Sequence, residues 1–236
     1  MTLHTERIGD VALLTIDRPD RRNAVDHDTL QSLERAITDA VDGEARVLAL
    51  TGAGGHFCAG ADLTGLEDAG FASVLRGVLD LLASVPIVTL AAVDGAALGA
   101  GTQLAVACDL RVATVRSSFG IPAGRLGLAV DRWTVDRLAR MAGHGTARAM
   151  LLAAEVVEGD EAHRLGLVQR LGSLDDALTW ADDIAALAPL TLRAHKALLE
   201  GRPDADAALA RAWASDDLQE GLAAFRERRR PVFHAR

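Results

Sequence analysis

Tyrosine is missing from this chain, and five Phe and three Trp are its only aromatic residues. Its core must therefore be filled mainly by Ala, Leu and Val, which favours closely packed helices and buried strands. Cysteine is scarcer still: Cys58 and Cys108 are too few for a disulfide framework and match no metal-ligand spacing. No run reaches the roughly 20 uninterrupted apolar residues of a bilayer span, and the opening MTLHTERIGD has no apolar signal core. The sequence thus predicts no membrane span, no export and a cytoplasmic location. Positive charge is in deficit, 25 Lys and Arg against 33 Asp and Glu for a net charge of −8, which argues against nucleic acid as a partner. What is there, 236 residues of which 50% are hydrophobic and 25% charged, suffices for one large globular unit or one with an appendage.

Short apolar runs at 11–16, 47–51, 87–93 and 110–113 read as buried strands. Between them, Leu30, Leu33, Ile37 and Val41 recur at helical spacing behind Asp28, a candidate cap with Gln31 three residues on, and Gly43 ends the pattern. Further helices are expected at 71–83 and 102–107. Strands that alternate with helices and carry no polar alternation of their own indicate an α/β architecture covered on both faces. After about residue 137 the pattern turns mainly helical, with candidates at 141–154, 174–187 and 191–199. Gly201-Arg202-Pro203-Asp204 reads as a hinge before a last helical tail.

Chemistry is expected at two glycine-bearing loops that follow strands, 57–63 and 95–101. Small residues there let a ligand approach the backbone amides, and the second loop opens a helix, whose first N–H groups lack partners. Two such loops brought together can hold a developing oxyanion between two donors. Tight turns alone would explain the same glycines. Gly99-Ala100-Gly101 lacks the third glycine of a dinucleotide fingerprint, so a nicotinamide cofactor is not expected.

The order and spacing of several segments extend this reading. Arg18-Pro19 with Asn23-Ala24-Val25, then Phe57-Cys58-Ala59-Gly60-Ala61-Asp62-Leu63, then Ala97-Leu98-Gly99-Ala100-Gly101, are followed by Cys108-Asp109-Leu110-Arg111 and Ser118-Phe119-Gly120-Ile121-Pro122. Glu161-Ala162-His163-Arg164-Leu165-Gly166-Leu167-Val168 and Phe225-Arg226-Glu227-Arg228-Arg229-Arg230-Pro231 complete the set. Together they resemble the enoyl-CoA hydratase/isomerase (crotonase) family over almost the whole chain. The resemblance implies a spiral of ββα units over residues 1–190 and a C-terminal helical trimerisation region over 191–236. It implies a coenzyme A thioester as ligand, with no separate cofactor, a place in fatty-acid metabolism, and assembly as a homotrimer or hexamer.

By position, the resemblance gives the amides of Ala61 and Ala100 the role of oxyanion hole. It gives the Ala59 carbonyl the adenine amino group, and places Arg21, Arg22 and Ala24 on the CoA-contacting turn. By the same resemblance Gly60, Asp62, Leu63 and Gly99 frame the two loops, Phe225 is a further ligand-binding position, and Arg228, Arg229 and Arg230 form a second basic cluster that can reach a neighbouring subunit's coenzyme A. Phosphate charges on coenzyme A call for such local basic groups in an acidic protein. A solvated face is the alternative for either arginine run.

The same resemblance exposes two departures. Hydratases of the family move protons with two glutamates, at the positions held here by Gln103 and Ala123. A carboxamide exchanges no proton near neutral pH and a methyl group none at all, while a positioned acid or base contributes about 10²–10⁴-fold to a rate. The expectation is an acyl-CoA-binding protein, lyase-like in sequence, with an oxyanion hole and without hydratase chemistry, presenting its thioester to other fatty-acid enzymes. The alternative is an active hydratase/isomerase using Asp131, which matches the proton-transferring aspartate of dienoyl-CoA isomerases. Asp131 would equally serve as a cap for a helix beginning near Thr134, or as a partner of Arg132 or Arg125. Trp133 would line or shorten an acyl pocket, or simply pack. A third reading, a scaffold with a vestigial pocket, leaves the small residues of both loops unexplained.

Overall fold

Residues 2–62, 64 and 70–235 are described by a computed structural model. The chain opens with a hairpin, β1 (Leu3–Ile8) pairing antiparallel with β2 (Val11–Ile16). From β2 the sheet continues in parallel through β3 (Val47–Gly52), β4 (Val88–Val93), β6 (Leu110–Ala113) and β9 (Arg170–Leu171). A second sheet joins β5 (Ala96–Leu98) in parallel to β7 (Ser118–Gly120), which pairs antiparallel with β8 (Val156–Glu158).

Alternate side chains of the large sheet divide the core. Leu14, Ile16, Leu48 and Leu50 pack with residues of α1 (His27–Asp42) and α2 (Phe71–Ser84). Val11, Leu13, Val47 and Ala49 pack on the other side with Ala177, Ala181 and Ile184 of α6 (Leu174–Ala185). With both faces buried no polar alternation survives, which is why these strands read as unbroken apolar runs. Alanine at 177 and 181 lets α6 lie close to the sheet, in a chain with few large aromatics to fill a wider gap.

Two expectations are corrected, and one strand is added. Asp26, not Asp28, caps α1: its carboxylate accepts from the Thr29 N–H at 2.9 Å and the Thr29 hydroxyl at 2.6 Å. The helix expected at 141–154 is the second half of α4 (Arg132–Leu152), interrupted at Gly143, whose φ of 80° breaks the helical path. β1 was not anticipated because it is an edge strand with five of six residues exposed, so it shows no apolar run.

After α6, α7 (Pro189–Leu199), α8 (Ala205–Trp213) and α9 (Asp216–Glu227) form the C-terminal helices. A buried cation ties α7 to the sheet. Lys196 Nζ donates to the carbonyls of Leu82 at 3.1 Å and Ile87 at 3.0 Å, and to Asp109 Oδ2 at 2.8 Å. Asp109 in turn accepts from the Thr89 N–H at 2.7 Å. Among the described residues no helix is long and apolar enough to cross a membrane.

Candidate active site

Two strand-to-loop passages meet beside the sheets. One leaves β3 and runs to Asp62; the other leaves β5 at Leu98 and enters α3 (Ala100–Ala107) through Gly99. Main-chain bonds stitch them together, the Cys58 N–H donating to the Ala96 carbonyl at 2.9 Å and the Leu98 N–H to the Cys58 carbonyl at 3.0 Å. Gly101 permits this approach: a Cβ there would lie 2.0 Å from the Cys58 oxygen. Gly99 turns the chain with φ 53° and ψ −116°, a conformation that strains any residue with a Cβ, and its N–H donates to the Gly120 carbonyl at 2.8 Å.

The first loop is fixed from the other side. The Val25 N–H donates to the Gly60 carbonyl at 2.9 Å, and the Asp62 N–H to the Val25 carbonyl at 2.8 Å. In such a parallel bridge the residue between, Ala61, directs its own N–H away from Val25. Ala100 is the first residue of α3, where N–H groups have no intrahelical acceptor and the dipole favours negative charge. Among the described residues neither the Ala61 nor the Ala100 amide has an acceptor. Both residues line one predominantly apolar cavity of about 340 Å³. A carbonyl oxygen entering it would find two free donors.

Ala59, Gly60, Gly99, Gln103, Ala123 and Asp131 line the same cavity, so the fold gathers half of the sixteen sequence-predicted site residues there. Gln103 follows Ala100 by three residues, one turn along α3, and its Nε2 donates to Thr134 Oγ1 at 2.8 Å. Asp131 caps α4, accepting from the Thr134 N–H at 2.9 Å, and its other oxygen meets Arg76 Nη1 at 2.9 Å. Burial pushes the Asp131 carboxyl up, but Thr134 and then the Arg76 guanidinium outweigh it and hold the group below the usual carboxylate value. The expected pairing with Arg132 or Arg125 is not formed: Arg132 bonds Asp136 at 2.7 Å, and Arg125 donates to the Ala154 carbonyl at 3.1 Å.

Other candidates stand apart from the cavity lining. The Trp133 ring carries the Arg76 guanidinium at 4.9 Å and that of Arg137 at 5.7 Å, instead of facing the cavity. Asp62 is buried and engaged by Thr64 and Arg18. Arg21 and Arg22 are exposed on the preceding turn, with the Arg22 carbonyl accepting the Ala59 N–H at 3.0 Å, and the Ala24 carbonyl accepts from Arg18. Phe225 and Arg228 lie on and just after α9, Phe225 being 85% exposed. Leu63 lies outside the described residues. Cys58 is fully buried and burial pushes its thiol up to about 12, so it packs and does not react.

Two contributors escaped the sequence reading. Arg76, the one arginine in the otherwise largely apolar α2, lines the cavity and neutralises Asp131. Arg18 braces the first loop through Asp62 at 3.0 Å and Asp26 at 2.7 Å. The i,i+4 pair that Arg76 forms with Asp80 at 2.7 Å on α2 was legible in sequence, but its reach to Asp131 was not, and Arg18 likewise rests on contacts distant in sequence.

Paired passages that leave two unpartnered amides over one apolar cavity mark a protein of the crotonase class. Comparison with known proteins places it further: residues 6–236 match the enoyl-CoA hydratase/isomerase family model, and the chain belongs to that family. It is 42% identical over 234 residues to the Mycobacterium tuberculosis protein named probable enoyl-CoA hydratase echA6, covering 94% of this chain and 96% of the relative. It is 34% identical over 249 residues to a crotonyl-CoA hydratase of Syntrophomonas wolfei, covering 97% of this chain and 96% of that one. The solved structure of enoyl-CoA hydratase from Bacillus anthracis superposes with a TM-score of 0.91 at 27% identity, with 100% of both chains covered.

Proposed function

We propose that this protein binds a fatty acyl-CoA, gripping the thioester carbonyl between the Ala61 and Ala100 amides, and that it carries or presents the thioester without hydrating it. The observation behind this reading is the pairing of Gln103 and Ala123 in a cavity that keeps both amide donors free. Neither side chain can activate water for attack at Cβ or return a proton to Cα, and each missing acid or base removes about 10²–10⁴-fold. Among the described residues of the lining the remaining carboxylate is Asp131, which caps a helix and is ion-paired to Arg76, favouring its anion and opposing service as an acid. Its place in the cavity lining is what supports the second reading, an isomerase with Asp131 as base.

The wider proposal includes other fatty-acid enzymes as recipients, and assembly as a homotrimer or hexamer. Trp213, 70% exposed, and Phe225, 85% exposed, give α8 and α9 an apolar surface that supports such assembly. Calorimetry with a long-chain acyl-CoA tests the ligand; crotonyl-CoA absorbance with protein in excess tests the chemistry. Binding with constant absorbance is expected. Sustained hydration at an enzymatic rate refutes the carrier reading, and isomerisation abolished by Asp131→Asn replaces it with the second.

A further inference from the structure

Arg111 lies on β6, outside the cavity lining, and is 1% exposed. Its guanidinium donates to neutral acceptors: the carbonyls of Leu167 at 2.5 Å, Ala105 at 3.1 Å, Cys108 at 2.8 Å and Asp109 at 3.3 Å, then Gln169 Oε1 at 3.1 Å and Met141 Sδ at 3.6 Å. Nearby carboxylates are taken by other cations, Asp109 by Lys196 at 2.8 Å and Glu200 by Arg137. A buried cation is costly unless its hydrogen bonds are met. Two of those met here go to the end of α3, where carbonyls have no N–H partner left within the helix.

The row of bonds that begins at Ala105 ends at the amide assigned to the thioester. The Ala105 carbonyl shares a rigid peptide plane with the Val106 N–H, which by helical geometry donates to the Thr102 carbonyl. The Thr102 carbonyl shares its plane with the Gln103 N–H, which donates to the Gly99 carbonyl at 3.1 Å. The Gly99 carbonyl in turn shares its plane with the Ala100 N–H. Arg111 Nη1 thus heads a relay that climbs about 9 Å of helix to the cavity. Gly99 and Thr102 also anchor the first turn through bonds to Gly120, but the Gly99 N–H and the Thr102 hydroxyl lie outside the plane that carries the Ala100 N–H. With eight residues, α3 is too short to hold that plane by itself.

Resting on the thioester-binding reading above, we propose that Arg111 is a positioning residue for the carbonyl contact: it holds the far end of this row and so keeps the Ala100 N–H aimed into the cavity. Without the guanidinium, the buried carbonyls of Ala105 and Cys108 lose a donor that water cannot replace. The last turn of α3 loosens, and the plane between Gly99 and Ala100 gains freedom to turn. A ligand that has no carbonyl makes no use of the row.

Calorimetry on the full chain compares dodecanoyl-CoA with the S-dodecyl-CoA thioether, and infrared difference spectra read the stretch of an isotope-labelled thioester carbonyl in the bound state. The wild type is expected to prefer the thioester and to lower its carbonyl stretch below that of the free ligand. Arg111→Met should cut the thioester-to-thioether affinity ratio about fivefold, the worth of one neutral hydrogen bond, and move the stretch back toward the free value. Arg111→Lys, whose ammonium reaches the same two carbonyls, should retain most of both. Gln169→Leu removes the acceptor that braces the Arg111 N–H and Nη2, at a position only partly buried, and should lower the ratio in the same direction. A ratio and a stretch that stay at wild-type values in Arg111→Met overturn the inference and leave the thioester reading standing. Should that variant fail to fold, an unchanged ratio in Gln169→Leu overturns it instead. No preference and no lowered stretch in the wild type overturn both.

Discussion

Replacing Gly99 with alanine tests whether the Ala100 amide holds the ligand carbonyl. The residue sits at φ 53° and ψ −116°, yet a Cβ added there would come no nearer than 3.8 Å to Gly60 Cα. The perturbation is therefore one of backbone strain, without a steric clash, worth about 1–3 kcal/mol. If the turn keeps its shape, the whole strain appears as lost stability in urea denaturation. If it relaxes, the peptide leading into α3 rotates, the Ala100 N–H leaves the cavity and the thioester loses one donor. One neutral hydrogen bond of about 1 kcal/mol then weakens an acyl-CoA about fivefold. The control is an S-alkyl-CoA thioether of the same length, which shares every group except the carbonyl. Gly99→Ala should weaken the thioester and not the thioether, or else lower stability by the stated amount. Equal weakening of both ligands, or no change in either affinity or stability, would refute the assignment of this amide to the carbonyl.

Two further outcomes follow from interactions outside the cavity. Lys196→Met leaves Asp109 without its cation, although Thr89 still donates to it, and breaking so buried a pair should destabilise the chain by about 3 kcal/mol in urea titration. Glu220 is lowered from 4.5 to about 2, first by Arg229 and then by the Val232 N–H. A carboxyl lowered by folding stabilises above its unfolded value, and that contribution fades as pH falls from 4.5 through about 2. Glu220→Gln should therefore flatten the decline of Tm over that acid range, measured by scanning calorimetry, and an unchanged slope would contradict the pairing.

Much of the site was legible in order along the chain. The roles proposed for Ala61 and Ala100 are those of main-chain groups, whose position depends on glycine turns and a helix start, both of which leave marks in sequence. The same holds for what is missing, since Gln103 and Ala123 declare by residue type that they carry no carboxylate. Arg21 and Arg22 were legible as charges, but not in what they face, because a loop arginine's direction depends on packing remote from it.

Asp131 shows where local reading stops. Its sequence allowed a base, a cap, or a partner of Arg132 or Arg125. The fold makes it a cap and brings in Arg76, 55 residues earlier, as its ion partner. Trp133 likewise exchanges an expected place in the cavity for stacking on two guanidinium groups.

Sequence alone determined the buried strands, the two small-residue loops and the absence of a carboxylate at positions 103 and 123, because periodicity and residue type are local properties. Tertiary structure decided that Gln103 bonds to Thr134 and that Asp131 is ion-paired. Hydrogen-bond direction and ion pairing depend on groups from α2, α3 and α4 that meet only after the chain has folded.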